Sequence, residues 1–100
     1  MRSLRITAPA SQDLEEISDY FLARSIDAGD RFVEAFGQKC KHIARFPFIG
    51  KLYSHIRPQL RGVVLMDYII FYSISDDAVE ILRVVSGYRS LQGVFEENDE

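Results

Sequence analysis

The chain has 100 residues, 47% of them hydrophobic, and a formal net charge of −3. That length fits a single domain with a modest core, and no apolar run approaches the roughly 20 residues of a membrane-spanning helix. A single cysteine, Cys40, excludes an intramolecular disulfide framework and fits a reducing, cytoplasmic setting; the basic start Met1-Arg2-Ser3-Leu4-Arg5 leads into no signal-peptide apolar region. In chain order, Leu4 to Thr7 predict a first strand over Ser3–Thr7. Pro9 suits the first turn of a helix, where its missing N–H costs nothing. Ala10, Leu14, Ile17 and Phe21 then give one apolar stripe at helical spacing. Asp13, Glu15 and Glu16 lie early in that helix, near the positive end of its dipole. Asp27 reads as the N-cap of a second helix, with Asp30 three positions on. Its stripe is Phe32, Phe36, Cys40 and Ile43, and Pro47 ends it.

Phe46 to Lys51 read as a loop whose aromatics tuck under the helix hairpin, with Pro47 and Gly50 as punctuation. Arg57 to Arg61 lead into a strand, and Gly62 to Asp67 continue it or turn. Tyr68–Ile74 and Ala78–Val85 are apolar runs rich in Ile, Val, Tyr and Phe around a polar Ser75-Asp76-Asp77 turn, the signature of a β-hairpin. The first run is apolar on both faces, which marks a central strand. Gly87 closes the second, and Ser90–Phe95 predict a helical turn or a short edge strand. The expected fold is α+β and two-layered, β-α-α-β-β-β, with a helix hairpin on one side of a mainly antiparallel sheet. The opposite sheet face is expected to be open. Residues 1–95 form the single domain, and 96–100 an acidic, disordered tail.

The charge is segregated. Residues 9–34 carry seven acids and two bases, whereas residues 35–66 carry six bases, two histidines and no acid. This points either to an electropositive patch for an acidic partner or to a solvated helix face with loop lysines. Arg83 interrupts an apolar strand, so it either pairs with Glu80 or a carboxylate of the first helix, or belongs to a working surface.

Chemistry is sparse. Cys40 and His42 lie two apart, a spacing that sends helical side chains to different sides, and no zinc-ligand pattern is present. Cys40 therefore reads as core and His42 as surface, and no metal or cofactor is expected. No G-x-G-x-x-G, Walker or G-x-S-x-G pattern occurs. Metal-free RNA cleavage needs a base, cations and an acid. Arg57, Arg61, Arg83 and Arg89 could supply the cations, His55 the base, and Tyr68, Tyr72 or Tyr88 an acid only with help from their surroundings.

Several stretches together resemble the RelE/ParE toxin superfamily of bacterial type II toxin–antitoxin modules, and its ParE branch of plasmid-stabilisation toxins in particular. They are Ala10-x-x-Asp13-Leu14-x-x-Ile17-x-x-Tyr20, Pro47-x-x-Gly50, Leu60-Arg61, Tyr68-Ile69-Ile70-Phe71-Tyr72, Val79-x-Ile81-Leu82-Arg83-Val84 and Gly87-Tyr88-Arg89-Ser90-Leu91. They span almost the whole chain in order. The resemblance implies a cytoplasmic bacterial toxin that inhibits DNA gyrase by direct binding, without catalysis of its own, and that a ParD-like antitoxin neutralises. The related RelE branch implies instead a ribosome-dependent messenger-RNA endoribonuclease, and a third alternative is an inactive module that only binds an antitoxin. In the ribonuclease branch an arginine of the third strand and a tyrosine near the C-terminus act on RNA. Here those positions fall on Ile69 and Phe95, while Arg89 keeps the arginine after the last strand. Phenylalanine donates no proton, and a net charge of −3 suits ribosomal RNA poorly. The sequence also carries Ser86 and Ser90 where many ParE relatives have histidine and aspartate. Arg57, Arg61, Arg83 and Arg89 are expected to contact target or antitoxin, with Tyr68, Tyr88 and Phe95 as accompanying aromatics. No membrane partner is expected, nor direct nucleic-acid binding by the chain alone.

Overall fold

The computed structural model describes residues 2–88 and 91–96. Its elements are β1 (Ser3–Ile6), α1 (Ala8–Leu22), α2 (Ile26–Arg45), a 3-10 turn (Pro47–Ile49), β2 (Lys51–Leu52), β3 (Arg61–Leu65), β4 (Tyr68–Ile74), β5 (Ala78–Ser86) and α3 (Leu91–Glu96). The sheet runs β1-β5-β4-β3-β2, with β1 parallel to β5 and every other pair antiparallel. The α+β class and the helix hairpin on the sheet are as the sequence predicts, and β4 is the central strand. β2 is an addition: two residues have no periodicity to detect.

Thr7 caps α1, its Oγ1 accepting from the Ala10 N–H. The cap of α2 is Ser25 rather than Asp27. Ser25 holds the extended backbone of a cap and its Oγ accepts from the Ala28 N–H at 3.0 Å, which leaves Asp27 inside the first turn. The hairpin crosses closely at Gly29, where a Cβ would meet Leu22 Cγ at 2.8 Å. Gly37, midway along α2, differs: a Cβ there meets nothing within 4 Å. Gly37→Ala is therefore expected to stabilise the fold by about 0.5–1 kcal/mol, read as a higher urea midpoint at unchanged slope.

The main core lies between hairpin and sheet. Ala10 and Ile17 of α1 and Phe32, Phe36, Cys40 and Ile43 of α2 meet Ile70, Tyr72, Val79, Ile81 and Val84. Leu14 and Phe21 pack at its margin. Ile81 and Val84 are three residues apart yet share this face, which strict alternation forbids. The register explains it: Phe71 pairs with Arg83 but Tyr72 with Ile81, so Leu82 is the extra residue of a β-bulge. Burial pushes the Cys40 thiol up from its usual 9.0 to about 11, and burial likewise raises the phenols of Tyr72 and Tyr68. Groups that hold their protons more tightly when folded stabilise the fold below their unfolded values. That contribution is lost as pH rises through the folded ones. Thermal unfolding followed from pH 9.0 to about 11 should therefore show a steadily falling midpoint, and Cys40→Ala should blunt the fall.

The opposite sheet face is not open, contrary to expectation. Leu60, Ile69, Phe71, Val85, Val94 and Phe95 form a second core there, with Tyr53, Ile56, Leu82 and Leu91 around it. A β4 strand apolar on both faces requires two covers, and α3 with the segment after β2 supplies the second. The aromatics around Pro47 also depart from expectation. Pro47 is buried, but Phe46 and Phe48 are exposed, because Phe32 and Phe36 already fill the space beneath the hairpin. Their rings are instead flanked by Arg45, Arg2 and Arg61. Of the predicted disordered acidic tail, residues 96–100, Glu96 instead ends α3, and 97–100 lie outside the described residues.

Candidate functional site

The 3-10 turn is fixed from below by one buried phenol. Tyr72, on the central strand, donates its hydroxyl hydrogen to the Pro47 carbonyl at 2.7 Å and accepts from the Gly50 N–H at 2.9 Å. The approach is close enough that a Cβ on Gly50 would meet the ring at 2.8 Å. Arg61, at the start of β3, completes the fastening by donating to the carbonyls of Gly50 (2.7 Å) and Phe48 (3.2 Å). Three carbonyls and an amide that no regular element would satisfy are thus paired.

This arrangement shapes a groove of about 530 Å³ between the 3-10 turn, the approach to β3 and the β4–β5 turn. Arg2, Arg57 and Arg61 line it, with Asp76 as its one acid. Phe48, 64% exposed, stands at its margin with the Arg61 and Arg2 guanidinium carbons 5.1 and 5.9 Å from its ring centre. Arg2 is held in place by donation from Nε to the Ser75 carbonyl at 3.0 Å. Arg57 lies over the Phe95 ring at 4.8 Å. Leu52, Leu60, Ile74 and Leu82 give the groove an apolar lining. Among the described residues around it there is no histidine, tyrosine, cysteine or glutamate. The chemistry on offer is cationic and apolar binding, with Asp76 as the one carboxylate among the described lining residues.

The predicted site residues therefore divide. Arg57 and Arg61 meet in the groove. Arg83 does not join them. Its Nε and Nη2 donate to the two carboxylate oxygens of Asp13 at 2.7 and 3.0 Å, and Nη1 reaches the Val94 carbonyl at 3.2 Å. The same carboxylate accepts the Val84 N–H at 2.9 Å. The side chains are only 11% and 10% exposed, so Arg83 takes the paired option, with a carboxylate of the first helix. Tyr68 is half-buried against the rings of Phe21 and Phe32. Phe95 is 4% exposed and packs edge-on against Phe71, so burial removes it from any contact surface. Tyr88, by contrast, is 87% exposed. Arg89 lies outside the described residues. His55 is exposed beside Tyr53 and does not line the groove, Cys40 is core, and His42 is exposed beside Phe46.

Sequence reasoning missed Arg2, and it did not single out Asp13 among the first-helix carboxylates offered to Arg83. Asp13 had a signal: it stands three residues after Ala10 and four before Ile17, on the apolar stripe rather than beside it. Arg2 had none, because its partner Ser75 is 73 residues away.

The profile of the ParE toxin family, described as the ParE toxin of the type II toxin–antitoxin system parDE, matches residues 4–91. This chain belongs to the ParE toxin family. Among curated proteins none matches it. A solved structure described as the chromosomal ParDE toxin–antitoxin system from P. aeruginosa is similar in fold, with a TM-score of 0.71 at 21% sequence identity, covering 86% of this chain and 96% of that one. The family match takes in most of β1 through the start of α3, and with them the Asp13–Arg83 pair and, apart from Arg2, the residues that line the groove. Among the described residues no helix is long and apolar enough to cross a membrane.

Proposed function

We propose that this ParE-family toxin inhibits DNA gyrase by direct binding, without a catalytic step of its own, and is neutralised by a ParD-like antitoxin. The observation that carries the proposal is the burial of Phe95. Where ribonuclease relatives place a tyrosine that donates a proton, this chain has a ring packed into a second core against Phe71. Ile69, at the position of their strand arginine, is buried in the same core. The arginine groove supports the same reading, since it offers cations and apolar surface suited to contact with a protein. Arg57 and Arg61 are the contact cations, and the action is cytoplasmic.

The test is a supercoiling assay with purified gyrase. Stoichiometric toxin should block supercoiling or trap cleaved DNA, and antitoxin should reverse the effect. Unchanged gyrase at high toxin concentration would end the proposal. Primer extension on messenger RNA after induction, if it revealed codon-linked cuts, would replace it with the ribonuclease alternative. A chain that causes no growth arrest would be the inactive module.

A further inference from the structure

The longest helix, α2, carries an open stripe beside its core face. Ile26, Asp30, Val33, Gly37 and Lys41 recur at steps of four, three, four and four, which sets them along one side of a helix with 3.6 residues per turn. Ile26 is 73% and Val33 58% exposed, whereas Phe32, Phe36, Cys40 and Ile43 of the same helix are buried. Gly37 cuts a notch in the stripe: a Cβ there would meet nothing within 4 Å, so the space above its backbone is open. The charges of the helix divide at the same notch. Asp27, Asp30 and Glu34 precede it with Arg31 as their one base, and Lys39, Lys41 and Arg45 follow it with no acid. Among the described residues, the ion pairs are Arg5 with Asp77 and Asp13 with Arg83, and neither involves α2. Asp30 and Glu34 stand four residues apart, as do Lys41 and Arg45, so each half of the helix carries a like-charge repulsion that an opposite charge would relieve.

We infer that α2 pairs with α2 of a second copy of this chain, antiparallel, across a two-fold axis that passes between residues 35 and 36. In that register Val33 of each copy lies over Gly37 of the other, a branched side chain entering a notch with room for it. Asp30 meets Lys41 and Asp27 meets Arg45, and symmetry makes each pair twice. Ile26 comes beside the exposed ring of Phe46 at the far end. Charge selects the antiparallel sense. A parallel pair would set acids on acids and bases on bases, and would align the two helix dipoles instead of opposing them. A second copy fits better than an unlike partner because the stripe complements itself: knob and notch, acids and bases, stand at matching distances on either side of one axis. One helix from each copy lies at the small end of specific interfaces, so association is weak, with a Kd on the order of 10–100 μM. Neither the gyrase target nor the antitoxin enters this assignment.

Sedimentation equilibrium of the purified full chain over a concentration series provides the test. The wild type should pass from monomer to dimer, less readily as salt rises. Gly37→Gln fills the notch and should weaken association at least about tenfold. It should fold as its parent does, because a Cβ at that position meets nothing, and melting curves check this. Asp30→Lys and Lys41→Asp should each sediment as monomers, because each sets like charges against one another on both sides of the axis. Mixed in equal amounts, the two variants should dimerise again, since the mixture restores opposite charges at both places. Lys51→Glu, on β2, changes net charge as much as Lys41→Asp and should leave association within about twofold. A wild type still monomeric at about 500 μM, well above the expected Kd, would overturn the inference and leave the stripe to an unlike partner. A dimer untouched by Gly37→Gln, or a mixture of the two charge variants that stays monomeric, would overturn it in favour of another interface.

Discussion

Replacing Asp13 with alanine is expected to destabilise the chain by about 3–5 kcal/mol, the range for breaking a buried ion pair from one side. Three donors converge on this one carboxylate: Arg83 Nε, Arg83 Nη2 and the Val84 N–H. Its position explains why. β1 pairs with β5 only as far as Ile6 opposite Ile81. Thr7 then satisfies the Ile81 and Leu82 carbonyls, and Asp13 of α1 takes the next free donor, the Val84 N–H. The carboxylate thus substitutes for the strand that β1 no longer provides. A domain with total stability of about 5–15 kcal/mol has little to spare for such a loss. Chemical denaturation should resolve the parts. Asp13→Asn keeps one acceptor oxygen for the Val84 N–H but loses the charge and the second acceptor toward Arg83, so it should cost less than Asp13→Ala and more than nothing. The double change Asp13→Leu with Arg83→Met should recover most of the loss, with a residue of about 1–3 kcal/mol for the unsatisfied Val84 N–H. If Asp13→Ala proves neutral, the pair is not the fastening between α1 and β5 that its geometry describes.

Phe95→Ala carries the second large effect, about 3–5 kcal/mol for truncating a buried aromatic in a site that cannot collapse onto itself. Phe95 closes the second core on Phe71 and carries the Arg57 guanidinium on its other contact. Truncation should loosen α3 and the segment around Leu60 first, seen as faster amide exchange at Ile69 and Phe71 while α2 remains protected. Phe95→Tyr addresses function directly. It restores a phenol at the position where ribonuclease relatives use one, and it is expected to yield no messenger-RNA cleavage. Codon-linked cuts by that variant would show that the gyrase proposal underestimates the site.

The two helices and the β4–β5 hairpin were legible because their apolar residues recur at 3.6 or 2 residues, and those periods survive without knowledge of the partner surface. Asp27 failed as a cap because Ser25, two residues earlier, is equally competent and the turn geometry chose it. The second core was hidden for a different reason. β4 declared two apolar faces, but the cover for one of them is a six-residue helix and an irregular segment, neither long enough to show a period. Phe46 and Phe48 misled because aromatic residues near a helix end usually mark burial, whereas here guanidinium groups line their rings. Arg57 and Arg61 could be nominated from charge alone. Convergence with Arg2 could not, because it depends on the sheet bringing the start of the chain beside the β4–β5 turn.

That last dependence has a kinetic side. The contact of Ser3 with Asp77 joins residues 74 apart, and Thr7 to Ile81 spans the same separation. A chain still emerging from the ribosome can form the α1–α2 hairpin, but β1 has no partner until β5 is made, and long-range closure is the slow step of folds built this way. Protease sensitivity of chains truncated before Ala78 would read this directly: a folded, resistant product would contradict it. Both Arg2's seat on Ser75 and Asp13's grip on Arg83 wait for that final strand, so an interrupted translation product should carry neither the groove nor the fastening, and premature release would yield an unarmed fragment.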